Sequence, residues 1–217
     1  METLKHFIDF FLHLDKSLGA IMMEYQGFTY FILCLIIFCE TGLVATPFLP
    51  GDSLLFAAGA LTASNGILNI WLLIPLLFCS AILGDNVNYL VGRFLGTSIF
   101  EMKGLRKILK REYLERTHSF YEKYGAQTII IARFVPIIRT FAPFAAGLGN
   151  MNYRRYIGFC IIGGVIWVSL LTLAGYYFGE LDFVKKNFEL VIFAIIAISL
   201  IPAIIQFAKI RTEIKKK

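Results

Sequence analysis

FLPGDSLLFAAGAL (48–61) and FVPIIRTFAPFAAGLG (134–149) are two versions of one phrase. Each reads Phe-x-Pro, a short polar break, then Phe-Ala-Ala-Gly. They carry opposite charge. The first holds Asp52, with Glu40 just upstream; the second holds Arg139, with Arg133 just upstream. Four of the six prolines, Pro47, Pro50, Pro136 and Pro143, lie with them. Charges and helix breakers inside hydrocarbon are costly, and are tolerated mainly where the backbone is buried in protein or lines a wet cavity. A repeated pair of interrupted apolar segments is a pointer to a transporter's binding site.

The rest of the chain places these segments in a membrane. Of 217 residues, 58% are hydrophobic and 17% charged, and the mean hydropathy is +0.71. A soluble domain of this size carries more surface charge. The length suits one membrane domain, residues 1–217, rather than two. The opening METLKHFIDFFLHLDK lacks a basic flank and a small-residue cleavage site, so no signal peptide is expected. Cys34, Cys39, Cys79 and Cys160 lie singly in apolar runs without CxxC spacing, which reads as buried membrane-helix cysteines rather than a metal or redox site.

A spanning helix needs ~20 mostly apolar residues. Segments 157–178 and 190–208 qualify, the second with Pro202 as a kink, and 66–96 is a longer span carrying Asp85. Segment 25–64 is apolar but broken at Glu40 and at the Thr-Pro and Leu-Pro steps, so it reads as a re-entrant hairpin. Segment 124–150 reads the same way, with the short TIIIA arm before Arg133 and two prolines. An arm dipping halfway needs only about 10 residues. Residues 3–24 either lie on the outer surface or cross imperfectly; Leu4, Phe7, Ile8, Phe11, Leu12 and Leu14 at amphipathic spacing favour the surface helix.

Charge sets the orientation. Loop 98–123 has seven Lys/Arg against four Asp/Glu, and tail 209–217 has five against one. Segment 179–189 has two against three, and the first 26 residues have two against four. The positive-inside rule therefore puts loop and tail in the cytoplasm. The two hairpins then enter from opposite faces. The expected fold is an all-α integral membrane protein. It is an inverted repeat of re-entrant hairpin plus transmembrane helix, with an N-terminal amphipathic helix and an extra C-terminal span.

The polar residues inside this frame are the candidate site. Asp52, in the turn sequence Pro-Gly-Asp-Ser, can cap the returning arm or serve function. Glu40 has no capping position and no local basic partner, which makes it a functional candidate. A carboxylate taken out of water can exchange a proton near neutrality. Arg133 and Arg139 are six residues apart, about 240° on an unbroken helix, but Pro136 between them could let both converge. Guanidinium groups are permanent forks of donors suited to carboxylate or phosphate. The plainer reading is an internal salt bridge of Glu40 and Asp52 with Arg133 and Arg139, which does not exclude an anion competing for the same arginines.

Asp85, Tyr89 and Arg93 fall within about 80° of one helix face, joined by Asn88. Here an Asp85–Arg93 clasp at the cytoplasmic interface is the preferred expectation. Gly84, Asn88, Gly92 and Gly96 form a small-residue ladder for close helix contact. His6, His13 and His118 have no metal spacing, and no metal or cofactor is expected. No phosphate-cradling GxxxxGK[ST] loop is present. The basic, aromatic stretch 103–125 reads as lying on anionic lipid rather than on nucleic acid.

Four stretches together resemble the bacterial DedA family, also called SNARE-associated or VTT-domain proteins. They are ETGLVATPFLPGDSLLFAAGAL (40–61), GDNVNYLVGRFLG (84–96), FYEKYGAQTIIIARFVPIIRTFAPFAAGLGNM (120–151) and WVSLLTLAGYYFG (167–179). The resemblance runs from about residue 5 to 208. It implies a likeness to lipid scramblases of the endoplasmic reticulum. It also implies a place in the cytoplasmic (inner) membrane, a part in recycling undecaprenyl phosphate, and links to proton-motive force and to tolerance of alkali and cationic drugs. By the same resemblance the essential acids fall on Glu40 and Asp52, and the essential arginines on Arg133 and Arg139.

The leading expectation is a non-enzymatic, proton-linked translocase of a polyprenyl phosphate. Arg133 and Arg139 would bind the phosphate, with Glu40 and Asp52 as proton-exchanging partners. The expected partners are membrane lipid and protons, and a homo-oligomer is compatible with these features. The alternatives are a proton-coupled antiporter of small cations or drugs and a non-transporting assembly or structural protein. An enzyme lacks a nucleophile or general base in suitable company.

Overall fold

Two long apolar helices frame the molecule. The computed structural model describes residues 24–25, 27–43, 51–98, 127–188, 190–192 and 194–195. Among the described residues the ordered elements are helices, with no strand. The expected surface helix 3–24 up to residue 23, the break with Pro47 and Pro50, nearly all of loop 98–123, the first residues of 124–150, most of span 190–208, tail 209–217 and all three histidines lie outside them.

The helices are α1 (Phe28–Gly42), α2 (Gly51–Asn65), α3 (Ile70–Ser98), α4 (Gln127–Ala132), α5 (Pro136–Leu148), α6 (Tyr153–Phe178) and α7 (Asp182–Lys186). The 29 residues of α3 give a rod of roughly 43 Å, more than the ~30 Å of a hydrocarbon core. The 26 residues of α6 carry Arg154 and Arg155 in their first turn and contain no charged residue from Ile157 to Phe178. Both are long and apolar enough to cross a membrane. Their outer faces expose Leu83, Leu90, Phe94, Ile162, Leu170 and Tyr177. In water that display would be a liability; in lipid it is the solvated surface.

Local chemistry sets the boundaries. The helix expected from 157 begins at Tyr153, because the Asn152 side chain accepts from the Arg154 N–H at 3.0 Å and caps it. α3 begins at Ile70, where the Asn69 side chain accepts from the Trp71 N–H at 2.9 Å. α2 closes at Gly66, whose φ of +62° is the left-handed turn that suits glycine. Between α4 and α5 the chain turns at 133–135. Val135 is extended and Pro136 opens α5, where its missing N–H costs nothing.

The packing follows an exchange. α1 and α4 each pack on the long helix that comes next in the chain, α3 and α6. α2 and α5 instead pack on the other long helix, α6 and α3 respectively. The glycines of the repeated phrase lie at these crossings. A Cβ on Gly59 would strike the Thr172 carbonyl oxygen, and one on Gly175 the Phe56 carbonyl oxygen. Correspondingly, a Cβ on Gly147 would strike the Tyr89 carbonyl oxygen, and one on Gly92 the Phe144 carbonyl oxygen. Thus the Phe and the Gly of each Phe-Ala-Ala-Gly meet a glycine and the residue three before it on the partner helix. Lipid tails are as apolar as leucine, so such a bundle gains its stability from close contact and buried polar bonds.

The core lies along α2 and α6. Leu54, Leu55, Ala57 and Ala58 are buried with Leu33, Ile37, Leu73, Leu77, Trp167 and Val168. Of the cysteines only Cys160 is fully buried; Cys79 lies on an exposed face. The expectation of four buried cysteines therefore gives way, since a 29-residue helix turns one side to lipid.

Candidate functional site

The interior of the bundle holds five acidic or basic side chains among the described residues, Glu40, Asp52, Asp85, Arg133 and Arg139, supplied by α1, α2, α3, the 133–135 turn and α5. Glu40 is 1% exposed, Asp85 3%, Arg133 4% and Arg139 6%. They sort into two groups.

The first group surrounds Arg139. One guanidinium nitrogen bonds Glu40 at the end of α1, and the other bonds Asp52 in the first turn of α2 at 2.5 Å. Glu40 Oε1 also accepts from the Gly51 backbone N–H at 3.2 Å. Gly51 has to be glycine here, since a Cβ would overlap the Glu40 carboxylate. The guanidinium lies 4.7 Å from the centre of the Trp167 ring, within range of a cation–π contact. The Trp167 indole N–H donates to Asp52 Oδ1 at 2.8 Å.

The second group surrounds Arg133. Its guanidinium bonds the Asp85 carboxylate and the Cys160 carbonyl oxygen, the latter at 3.1 Å. The Cys160 thiol donates to Asp85 at 3.2 Å. The Tyr156 hydroxyl donates to the Asp85 backbone carbonyl at 2.8 Å and its ring stacks on Tyr89 at 4.3 Å. The Arg133 stem passes over Gly163, where a Cβ would come 2.9 Å from Cδ.

Asn88 joins the groups. Its amide nitrogen donates to the Thr41 carbonyl at 3.2 Å and to the Thr140 carbonyl at 2.7 Å, using both hydrogens. α1, α3 and α5 are thereby tied at one point.

The expected salt bridge of Glu40 and Asp52 thus forms with Arg139. Arg133 does not join it; the turn before Pro136 sends the two guanidiniums to different partners. The expected Asp85–Arg93 clasp is overturned. Asp85 faces inward to Arg133, while Arg93, further along α3, is exposed. Tyr89 and Asn88 are wholly buried, as a stripe facing protein requires. The ladder residues Gly84 and Gly92 do admit close backbones, Gly84 against α1 and Gly92 against α5.

Trp167, Cys160, Tyr156 and Gly51 did not emerge from the sequence as site residues. A signal was present for three. Tyr156, Cys160, Gly163, Gly164 and Trp167 follow i, i+4, i+7, i+8, i+11 along α6, a buried face of small and polar residues in an otherwise aliphatic span.

Helices clad in exposed apolar side chains around a charged, hydrogen-bonded interior define an integral membrane protein. The VTT-domain model matches residues 49–177. Protein DedA of Escherichia coli (strain K12) is 50% identical over 210 residues, covering 96% of this chain and 95% of its own. Membrane protein Rv0364 of Mycobacterium tuberculosis (strain H37Rv) is 46% identical over 179 residues, covering 82% and 78%. Inner membrane protein YqjA of Escherichia coli (strain K12) is 39% identical over 154 residues, covering 71% and 69%. No solved structure matches. The chain belongs to the DedA family of VTT-domain membrane proteins.

Proposed function

We propose that the protein is a proton-linked translocase of a lipid phosphate, of the undecaprenyl phosphate class, in the inner membrane with its C-terminus in the cytoplasm. The observation that carries this reading is the clamp on Arg139. A permanently charged fork, buried in the bundle, is held by two carboxylates on either side of a helix break. An anionic headgroup can compete for that fork bidentately. A carboxylate that loses the arginine can take a proton in its place. Arg133 offers a second fork once its pair with Asp85 opens.

The architecture we propose for this function is an inverted repeat. α1 and α2 form one re-entrant hairpin, and α4 and α5 the other. α1 and α2 have 15 residues each and α5 has 13, about 20–23 Å each, too short to cross ~30 Å of hydrocarbon. The exchange of packing partners and the matched glycine contacts support a pseudo-twofold relation. Rocking one repeat against the other then gives alternating access, while the lipid tails trail in the bilayer.

The test is movement of polyprenyl phosphate across liposomes under a pH gradient. Wild type is expected to move it, and Arg139→Ala and Arg133→Ala to be defective. Variants as fast as wild type would sink the mechanism.

One observation favours a second reading. Among the described residues two buried carboxylates and the partly buried Asp52 face two guanidiniums, so full ionisation of these five leaves one negative charge over. Glu40 Oε2 is buried with no hydrogen-bond partner among them. A proton satisfies that oxygen in the translocase; a small cation or cationic drug would satisfy it in a proton-coupled antiporter. Lipid-independent uptake of a labelled cation, lost in Glu40→Gln, would favour the antiporter.

A further inference from the structure

Trp167 is the largest fully buried side chain, 1% exposed, in the middle of the uncharged stretch 157–178 of α6. Packing alone would be served by leucine or phenylalanine. An indole in such a place brings an N–H that must find an acceptor, and this one finds Asp52 Oδ1. The same oxygen accepts from Arg139, whose guanidinium also lies against the indole ring. Asp52, Arg139 and Trp167 therefore close a triangle built from α2, α5 and α6.

That triangle matters when Arg139 changes partner. For a phosphate to take the two terminal nitrogens that now hold the carboxylates, the bond to Asp52 or to Glu40 opens. An opened Asp52 loses its charged donor while largely withdrawn from water, with 14% of its side chain exposed, and a released guanidinium would swing without a support. Both are costly in low dielectric. Trp167 meets both needs at once: its N–H stays on Asp52 and its ring stays on Arg139. Glu40, by contrast, keeps only the Gly51 N–H among the described residues.

We infer that Trp167 is the positioning residue of the anion site, holding Asp52 by its indole N–H and Arg139 by its ring so that the pair opens for a phosphate. The inference rests on the lipid-phosphate reading above. Trp167 itself does not touch the cargo. Its effect falls on how well Arg139 is presented, hence on the concentration at which the site fills.

The chain has two tryptophans, and Trp71 is 77% exposed at the start of α3. The full-length Trp71→Phe protein therefore reports on Trp167 alone. In phosphatidylcholine vesicles, polyprenyl phosphate is expected to change Trp167 emission, and the parent polyprenyl alcohol is not. Trp167→Phe keeps a ring and loses the N–H. It is expected to raise the half-saturating lipid-phosphate concentration about tenfold, the loss of one hydrogen bond to a charged group, with little change in maximal rate. Trp167 emission indifferent to polyprenyl phosphate, or wild-type half-saturation in Trp167→Phe, in a protein that moves this lipid overturns the inference and leaves the translocase reading standing. If the parent protein moves no lipid phosphate, the translocase reading falls. The Trp167 contact is then decided by Asp52→Asn in the same background: shifted emission upholds the triangle, and unchanged emission overturns it.

Discussion

Removing one member of the Asp85–Arg133 pair should cost far more than removing both. Asp85 and Arg133 have 5% of each side chain exposed, so water cannot replace a lost partner. Asp85→Leu leaves Arg133 with the Cys160 carbonyl and thiol as its acceptors. Arg133→Met leaves Asp85 with the Cys160 thiol. Breaking a buried pair from one side costs about 3–5 kcal/mol, whereas exchanging both partners for apolar groups of similar volume is near neutral. For a chain of this size about 1 kcal/mol moves the midpoint by roughly 2–4 °C. Each single variant should therefore unfold roughly 6–20 °C earlier. Asp85→Leu with Arg133→Met should recover most of that loss. The assay is thermal unfolding of purified protein in detergent, run as a double-mutant cycle. A double variant no more stable than the weaker single one would refute the reasoning, because the pair would then not be coupled. The same double variant separates support from site. If Arg133 binds phosphate, stability returns and lipid movement does not.

Two further outcomes follow from the glycines. Gly59→Ala and Gly147→Ala each push a methyl group into a facing carbonyl and should each cost about 1–3 kcal/mol by overpacking, whereas Gly158→Ala, with nothing within 4 Å of its Cβ, should leave the midpoint unchanged; equal midpoints for all three would contradict the close crossings. Gly51→Ala would displace the Glu40 carboxylate, so it should abolish lipid movement at least as completely as Glu40→Gln in the liposome assay; a Gly51→Ala protein with wild-type rates would show that Glu40 does not need its place at the start of α2.

Much of the architecture was legible before any contact was known. The long helices over 70–98 and 153–178 fall where predominantly apolar length put them, their starts moved to the caps at Asn69 and Asn152. The turn before Pro136 falls where proline forbids a continuous helix. The arginine in the second phrase meets the acids of the first, as charge of opposite sign in hydrocarbon requires. Legibility stopped at partner choice. Asp85 has Arg93 two turns along its own helix, and local spacing favoured that pair. The fold instead rotates Asp85 inward to Arg133 and leaves Arg93 at the surface. Trp167 carried no charge to draw attention, and its role depends on two groups from other helices.

The sequence by itself determined that this chain lives in a membrane, that its apolar segments are broken twice in the same way, and that opposite charges accompany the breaks. Those properties depend on hydrophobic length, proline and glycine, whose effects act within a few residues along the chain. Only the tertiary structure decided who pairs with whom: Arg133 with Asp85 across 48 residues, Arg139 with Glu40 across 99, and Trp167 with Asp52 across 115. Such choices depend on which faces of which helices are turned together. In this fold the glycines at the described helix crossings contribute to that, since they let the backbones approach closely enough to bring those faces together.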